Sequence, residues 1–177
     1  IMAKRGTESS DRSSYWKHGS ICEDFDAIKA PVLVMGGLHD GYRNAMAAMV
    51  ENLSCPAQGI TGPWSHKYPH ISTIEPSIDY QNVALRWWDK WLKGIDNGAE
   101  KGPAMRVYVM DSIMPDDRLT HRPGQWMAEA AWPPKDITML RLPLSDDALG
   151  NHGPLSASIE PDILCGEAAG EFFPFGF

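Results

Sequence analysis

Two short stretches of this 177-residue chain hold residue types that can move protons. GGLHDGY (36–42) contributes Asp40, and GPWSHKYPH (62–70) contributes Ser65, His66 and His70. A carboxylate that accepts a hydrogen bond from one imidazole nitrogen fixes the tautomer, so the other nitrogen can take a proton from a hydroxyl. Asp40 and His66 would then be the acid and base of a nucleophilic triad, if the fold brings together residues 26 positions apart. Two other pairings compete. Ser65 is adjacent to His66, but neighbours in an extended loop tend to point opposite ways. His66 and His70 have the i,i+4 spacing of a zincin, yet that motif carries Glu directly after the first His. Here Lys67 stands there, and Pro69 biases Tyr68 away from helical geometry. No metal site is indicated, and the glycines of GGLHDGY match neither a dinucleotide fingerprint nor a P-loop, so no cofactor is implied. His18, His39, His121 and His152 lack ligand-like companions and default to loop or surface roles. An Asp or His in a Gly/Pro-rich loop is also an ordinary turn former or solvated residue, and spacing alone does not separate that reading from catalysis.

The elements around these stretches decide whether the two can meet. Residues 31–35 (PVLVM) form a short apolar run ending at Gly36, the pattern of a strand buried on both faces of a parallel sheet. RNAMAAMVENL (43–53) places Met46, Met49, Val50 and Leu53 at spacings of three and four, which predicts an amphipathic helix. Ala57 to Thr61 is a second strand, ending at Gly62-Pro63. Strand, helix, strand is a βαβ unit, whose crossover makes the strands parallel and brings both following loops to the same edge of the sheet. Catalytic groups gather at that edge in open α/β sheets. DYQNVALRWWDKWLKG (79–94) predicts a second helix, with Asp79 at its start, Lys90 and Lys93 in its last turn and Gly94 at the C-terminal cap. Its stripe of Tyr80, Ala84, Trp87, Trp88, Trp91 and Leu92 is expected in the core.

After IDNGAEKGP the pattern changes. MRVYVMD (105–111), QWMAEA (125–130) and ITMLRLPL (137–144) read as strands without intervening helices. The expected division is an α/β part over 1–100 and an all-β part over 101–177. Residues 1–20 read as a loop or irregular approach. The hydrophobic fraction of 43%, with seven Trp and 22% charged residues, is that of an ordinary globular chain.

Net charge is −7, from 23 acidic and 16 basic residues, with no Lys/Arg block to follow a phosphate backbone. Nucleic acid is therefore not an expected partner. No apolar run approaches the roughly 20 residues of a membrane helix. Cys22, Cys55 and Cys165 are odd in number and widely spaced, which argues against a disulfide framework and favours a reducing, cytoplasmic setting. Self-association is left open. The chain begins at Ile1, so a longer polypeptide is expected.

APVLVMGGLHDGY, GITGPWSHKYPH, ALRWWDKWLKGIDNG and PAMRVYVMDS, in that order, resemble the C-terminal half of the cocaine esterase and Xaa-Pro dipeptidyl-peptidase family of acyl hydrolases. That resemblance implies the C-terminal portion of an α/β-hydrolase fold followed by an incomplete β-sandwich of jelly-roll type, which QWMAEAAWPP would begin. About 75 residues remain for the sandwich, fewer than eight strands normally need. It makes Asp40 the triad acid and His66 the general base, with Tyr42 and Trp64 near the acyl pocket. Leu38 stands where family members often have Trp, so pocket shape does not carry over. The family nucleophile is a serine in a GxSxG elbow upstream of the acid, and these 177 residues contain no GxSxG. The oxyanion donors would also lie upstream, each worth roughly 3 to 4 kcal/mol to the developing alkoxide. The expectation is a serine hydrolase fragment that is inactive alone. Its substrate would be a small-molecule ester, amide or peptide, and its partner the remainder of the same polypeptide. The alternative is an inactive remnant serving as a binding module.

Overall fold

The computed structural model describes residues 12–142, with the exception of 115 and 117. Strand β1 (Val32–Gly37), helix α2 (Ala45–Asn52) and strand β2 (Ala57–Gly62) form the expected βαβ unit, preceded by a short helix α1 (Ser14–His18). Helix α3 (Tyr80–Lys93), strand β3 (Met105–Met110) and strand β4 (Gly124–Glu129) follow. All four strands lie in one open, mixed sheet of order β1-β2-β3-β4. The first three strands are parallel, and β4 runs antiparallel to β3. The fold is therefore α/β.

Packing on the sheet follows from residue size. β2 is buried from Gln58 through Gly62, as an interior parallel strand must be. One face is cut back at Gly36, where a Cβ would run into Met46 of α2, and at Gly59, where it would run into Met105 of β3 and Val50 of α2. These two residues make room for α2 and for the Met105 side chain. On the other face Leu33, Gln58 and Ile60 turn toward Val83 and Trp87 of α3 and share with them the lining of a cavity of about 250 Å3. Helices on both faces of a parallel sheet make a three-layer arrangement.

Helix α3 has the ends its sequence predicts. The Asp79 side chain accepts a hydrogen bond from the Asn82 amide at 3.2 Å, and Gly94 adopts φ 70° with its N–H directed to the carbonyls of Asp89 and Lys90. The stripe, in contrast, is divided. Ala84 and Trp87 are buried, whereas Trp88 is 51% and Leu92 79% exposed. A period of 3.6 shows which residues share a side of a helix but not how much of that side is covered, and α3 meets the sheet along only part of it.

The sheet continues past residue 100. Gln58 Nε2 donates to the Ala99 carbonyl at 2.8 Å, and Arg86 and Asn97 exchange side-chain-to-backbone hydrogen bonds at 2.8 and 2.7 Å. The turn after α3 is thereby held so that β3 pairs with β2 from Gly59↔Met105 to Thr61↔Val107. What changes near residue 100 is the connection: helical crossovers before it, an antiparallel pairing after it.

Two further expectations differ. Residues 14–18, expected to be irregular, form α1, a single turn with no buried residue; a helix without an apolar face leaves no periodic trace. Residues 137–142, expected to be a strand, are irregular, with Met139 and Leu140 exposed. A strand needs a neighbouring ladder, and none meets this segment among the described residues. The end of that expected strand at 143–144, the rest of the expected sandwich segment, and Cys165 and His152 lie outside the described residues. No described helix is long and apolar enough to cross a membrane.

Met46, packed over Gly36, and Leu92, open to solvent, form a matched test. Met46→Ala is expected to lower unfolding free energy by about 2 to 4 kcal/mol, and Leu92→Ala by no more than about 0.5 kcal/mol. Urea denaturation of both variants measures the difference.

Candidate active site

The register of β1 and β2 sets the site. Their pairing runs from Val32↔Ala57 to Gly37↔Gly62, so the two strands end side by side. The following loops are then joined by their backbones: Leu38 N–H donates to the Gly62 carbonyl at 2.8 Å, and His39 N–H to the Trp64 carbonyl at 3.0 Å. Asp40 N–H closes a turn on the Gly37 carbonyl at 3.2 Å.

That turn aims the Asp40 carboxylate. Oδ1 accepts from the Tyr42 amide at 2.9 Å, a self-contained turn of the kind Asp favours. Oδ2 lies 2.9 Å from His66 Nδ1. An ionised carboxylate only accepts hydrogen bonds, so Nδ1 carries the proton and Nε2 is the basic nitrogen. Removal from water pushes the Asp40 carboxyl up, but the Tyr42 amide, the His66 hydrogen bond and the His66 charge together hold it below its ordinary 3.8. The exposures are unequal in a useful way. The Asp40 side chain is 13% exposed and that of His66 50%, so the acid is covered while the base reaches solvent.

The residues expected to pair are thus brought together, and others find different places. Tyr42 is exposed, its ring centroid 5.8 Å from the His66 ring. Trp64 is fully buried at 0% exposure: its indole N–H donates to the Pro76 carbonyl at 2.8 Å and its ring meets Trp126 at 6.0 Å. Its ring presents no surface to a ligand. His70 stacks on Tyr80 at 5.6 Å, with Tyr68 against both rings, so its imidazole belongs to an aromatic cluster. His39 is held below its ordinary 6.5 by removal from water and by the Arg122 charge. Among the described residues no group of three or more His, Cys, Asp or Glu side chains is placed to hold a metal ion.

A cleft of about 620 Å3 opens beside the pair, lined by every residue of β1 together with Asp40, His66, Tyr68, Tyr80 and Trp88. The part played by Tyr68, Tyr80 and Trp88 here was not visible in the sequence. Tyr80 and Trp88 carried only the signal of an apolar helix stripe, and Tyr68 carried none.

The chain resembles known proteins in sequence and in fold. The X-Pro dipeptidyl-peptidase (S15 family) model matches residues 1–68, a span that includes Asp40 and His66. A Bacillus anthracis protein assigned by name to the Xaa-Pro dipeptidyl-peptidases is 24% identical over 155 residues, covering 84% of this chain and 23% of that protein. A Mycobacterium bovis protein assigned by name to the serine esterases is 24% identical over 164 residues, covering 89% of this chain and 23% of that protein. A crystal structure of a CocE/NonD family hydrolase from Staphylococcus aureus superposes with a TM-score of 0.64 at 13% identity, over 86% of this chain and 26% of that one. The match is at family level, to proteins assigned by name to the Xaa-Pro dipeptidyl-peptidases and the serine esterases. The chain spans about a quarter of the length of the curated relatives it matches.

The depressed Asp40 carboxyl makes stability depend on pH in one direction. A group whose folded pKa lies below its unfolded value contributes stability above the unfolded value, and that contribution is lost as pH falls through the folded one. Asp40→Asn is therefore expected to unfold at lower temperature than the parent chain near neutral pH, and the gap should close as the pH is taken well below 3.8. Thermal unfolding of both proteins across that range checks the sign.

Proposed function

We propose, from this family-level match and the geometry of the pair, that the chain is part of a serine hydrolase that cleaves esters or amides through an acyl-enzyme. The observation that carries the proposal is the 2.9 Å contact between His66 Nδ1 and Asp40 Oδ2 at the ends of adjacent parallel strands. His66 Nε2 takes the proton of a serine hydroxyl as the oxygen attacks the substrate carbonyl. Asp40 keeps the imidazole in the required tautomer and stabilises the imidazolium that forms. The imidazolium then protonates the leaving alkoxide or amine, and His66 next activates the water that releases the acid.

The serine is proposed to lie on the remainder of the polypeptide, upstream of these 177 residues. Two observations support this: the sequence has no GxSxG, and the cleft beside Asp40 and His66 runs along all six residues of β1. β1 is an edge strand among the described residues, and an edge with flanking apolar side chains is a template for a further strand. Tyr42, exposed beside His66, is proposed to border the acyl pocket. Trp64, enclosed by its neighbours, would shape that pocket through its backbone. Residues 101–177 are proposed as the start of a jelly-roll sandwich that follows an α/β-hydrolase part over 1–100, and a cytoplasmic setting is proposed from the cysteine usage.

The missing elbow also favours a second reading, an inactive remnant that serves as a binding module. Sequencing the DNA upstream of Ile1 separates the two, because an in-frame GxSxG restores the enzyme and a stop codon supports the remnant. In the intact polypeptide, His66→Ala is expected to reduce ester or amide hydrolysis by about 10⁴-fold or more, whereas full retained activity would overturn the assignment. The 177-residue chain alone is expected to be inactive, and turnover of Xaa-Pro anilides against simple aryl esters by the intact polypeptide decides the substrate.

A further inference from the structure

We infer that Trp64 is a positioning residue for the Asp40–His66 pair, acting through its backbone carbonyl and its indole N–H together. This rests on the proposed roles of Asp40 and His66.

Trp64 is tied at three points. Its carbonyl accepts the His39 amide at 3.0 Å, one residue before Asp40. The same carbonyl presses on Gly37, where a Cβ would fall 1.9 Å from the oxygen, so no side chain fits between the two loops. Its indole N–H donates to the Pro76 carbonyl at 2.8 Å. The indole ring lies over Gly62, where a Cβ would reach within 2.5 Å of two ring carbons, and against Trp126.

These contacts form a short path to the pair. The indole cannot rotate without leaving the Pro76 carbonyl unpaired and opening a void in a fully buried place, both costly. With the ring fixed, the Trp64 carbonyl is fixed; with it, His39 N–H and the turn that aims Asp40. His66 follows Trp64 by two residues in the same loop, so one side chain sets both partners of a contact that spans 26 positions. Pro63 and Trp64 are buried parts of these loops, whereas His39, Tyr42 and His66 are exposed. A hydrogen bond between an acid and a base tolerates small displacements poorly, because its strength falls steeply with distance and angle.

The test reads the His66 tautomer in the 177-residue chain by ring ¹H–¹⁵N NMR. In the parent protein His66 should be held with the proton on Nδ1, and Asp40→Asn should release it. If the parent shows mixed tautomers, the Asp40–His66 reading itself fails. Trp64→Phe retains an aromatic ring without the N–H, and it should convert His66 to a mixture of tautomers. Trp87→Phe, which disturbs a buried ring on α3, should leave His66 fixed. A fixed tautomer in Trp64→Phe, or equal loss in Trp87→Phe, overturns the inference while the pair stands. Should Trp64→Phe fail to fold, hydrogen exchange in the parent protein decides: the Trp64 indole N–H and His39 amide should exchange about a hundredfold slower than the half-exposed Trp88 indole. Exchange of either at the Trp88 rate overturns it.

Discussion

The contact on which the rest of this site depends is between two pieces of backbone, the Trp64 carbonyl and the loop that leaves β1. A parallel register brings β1 and β2 to an end at the same level. It does not by itself hold the following loops together, since loops at a sheet edge have no ladder to continue. Here the ladder is extended beyond the strands by Leu38 to Gly62 and His39 to Trp64. Gly37 allows that extension because any larger residue would occupy the place of the Trp64 carbonyl. Asp40 and His66 then face one another as a consequence of how tightly the loops are laced.

The electrostatics of the pair follow from unequal cover. Asp40 is largely shielded, which on its own would favour the neutral acid, yet it has a backbone donor on one oxygen and an imidazole donor on the other. Two donors outweigh the desolvation, and the carboxylate stays ionised. His66 is half open to solvent and faces a cleft lined by β1 together with Tyr68, Tyr80 and Trp88. A shielded, ionised acid behind an accessible base is the arrangement that proton transfer from a hydroxyl needs. Removal from water and the Arg122 charge hold His39 below its ordinary value, which favours its uncharged ring, and its amide, rather than its ring, is what serves the site.

Much of the fold was legible because burial leaves periodic traces. β1, α2, β2 and α3 were each marked by an apolar run or a 3.6-residue period with caps at Asp79 and Gly94, and the βαβ rule made the strands parallel. α1 was not legible, since a single exposed turn has no period. Residues 137–142 had the residue types of a strand without a partner to pair with. Periodicity records the direction of side chains and not the extent of what covers them, so the whole stripe of α3 has the pattern of a core face while Trp88 and Leu92 are exposed.

For the site, the sequence by itself determined the residue types and the edge at which they gather: a carboxylate after the first strand, an imidazole after the second, and no GxSxG. Only the tertiary structure decided that Asp40 and His66 meet at hydrogen-bond distance, that Tyr42 stands open beside them, and that Trp64 is enclosed. The physical reason is that loop conformation is set by contacts distant in sequence. The Pro76 carbonyl that receives the Trp64 indole and the Trp126 ring that packs on it lie 12 and 62 positions away, and no local pattern encodes where they will be.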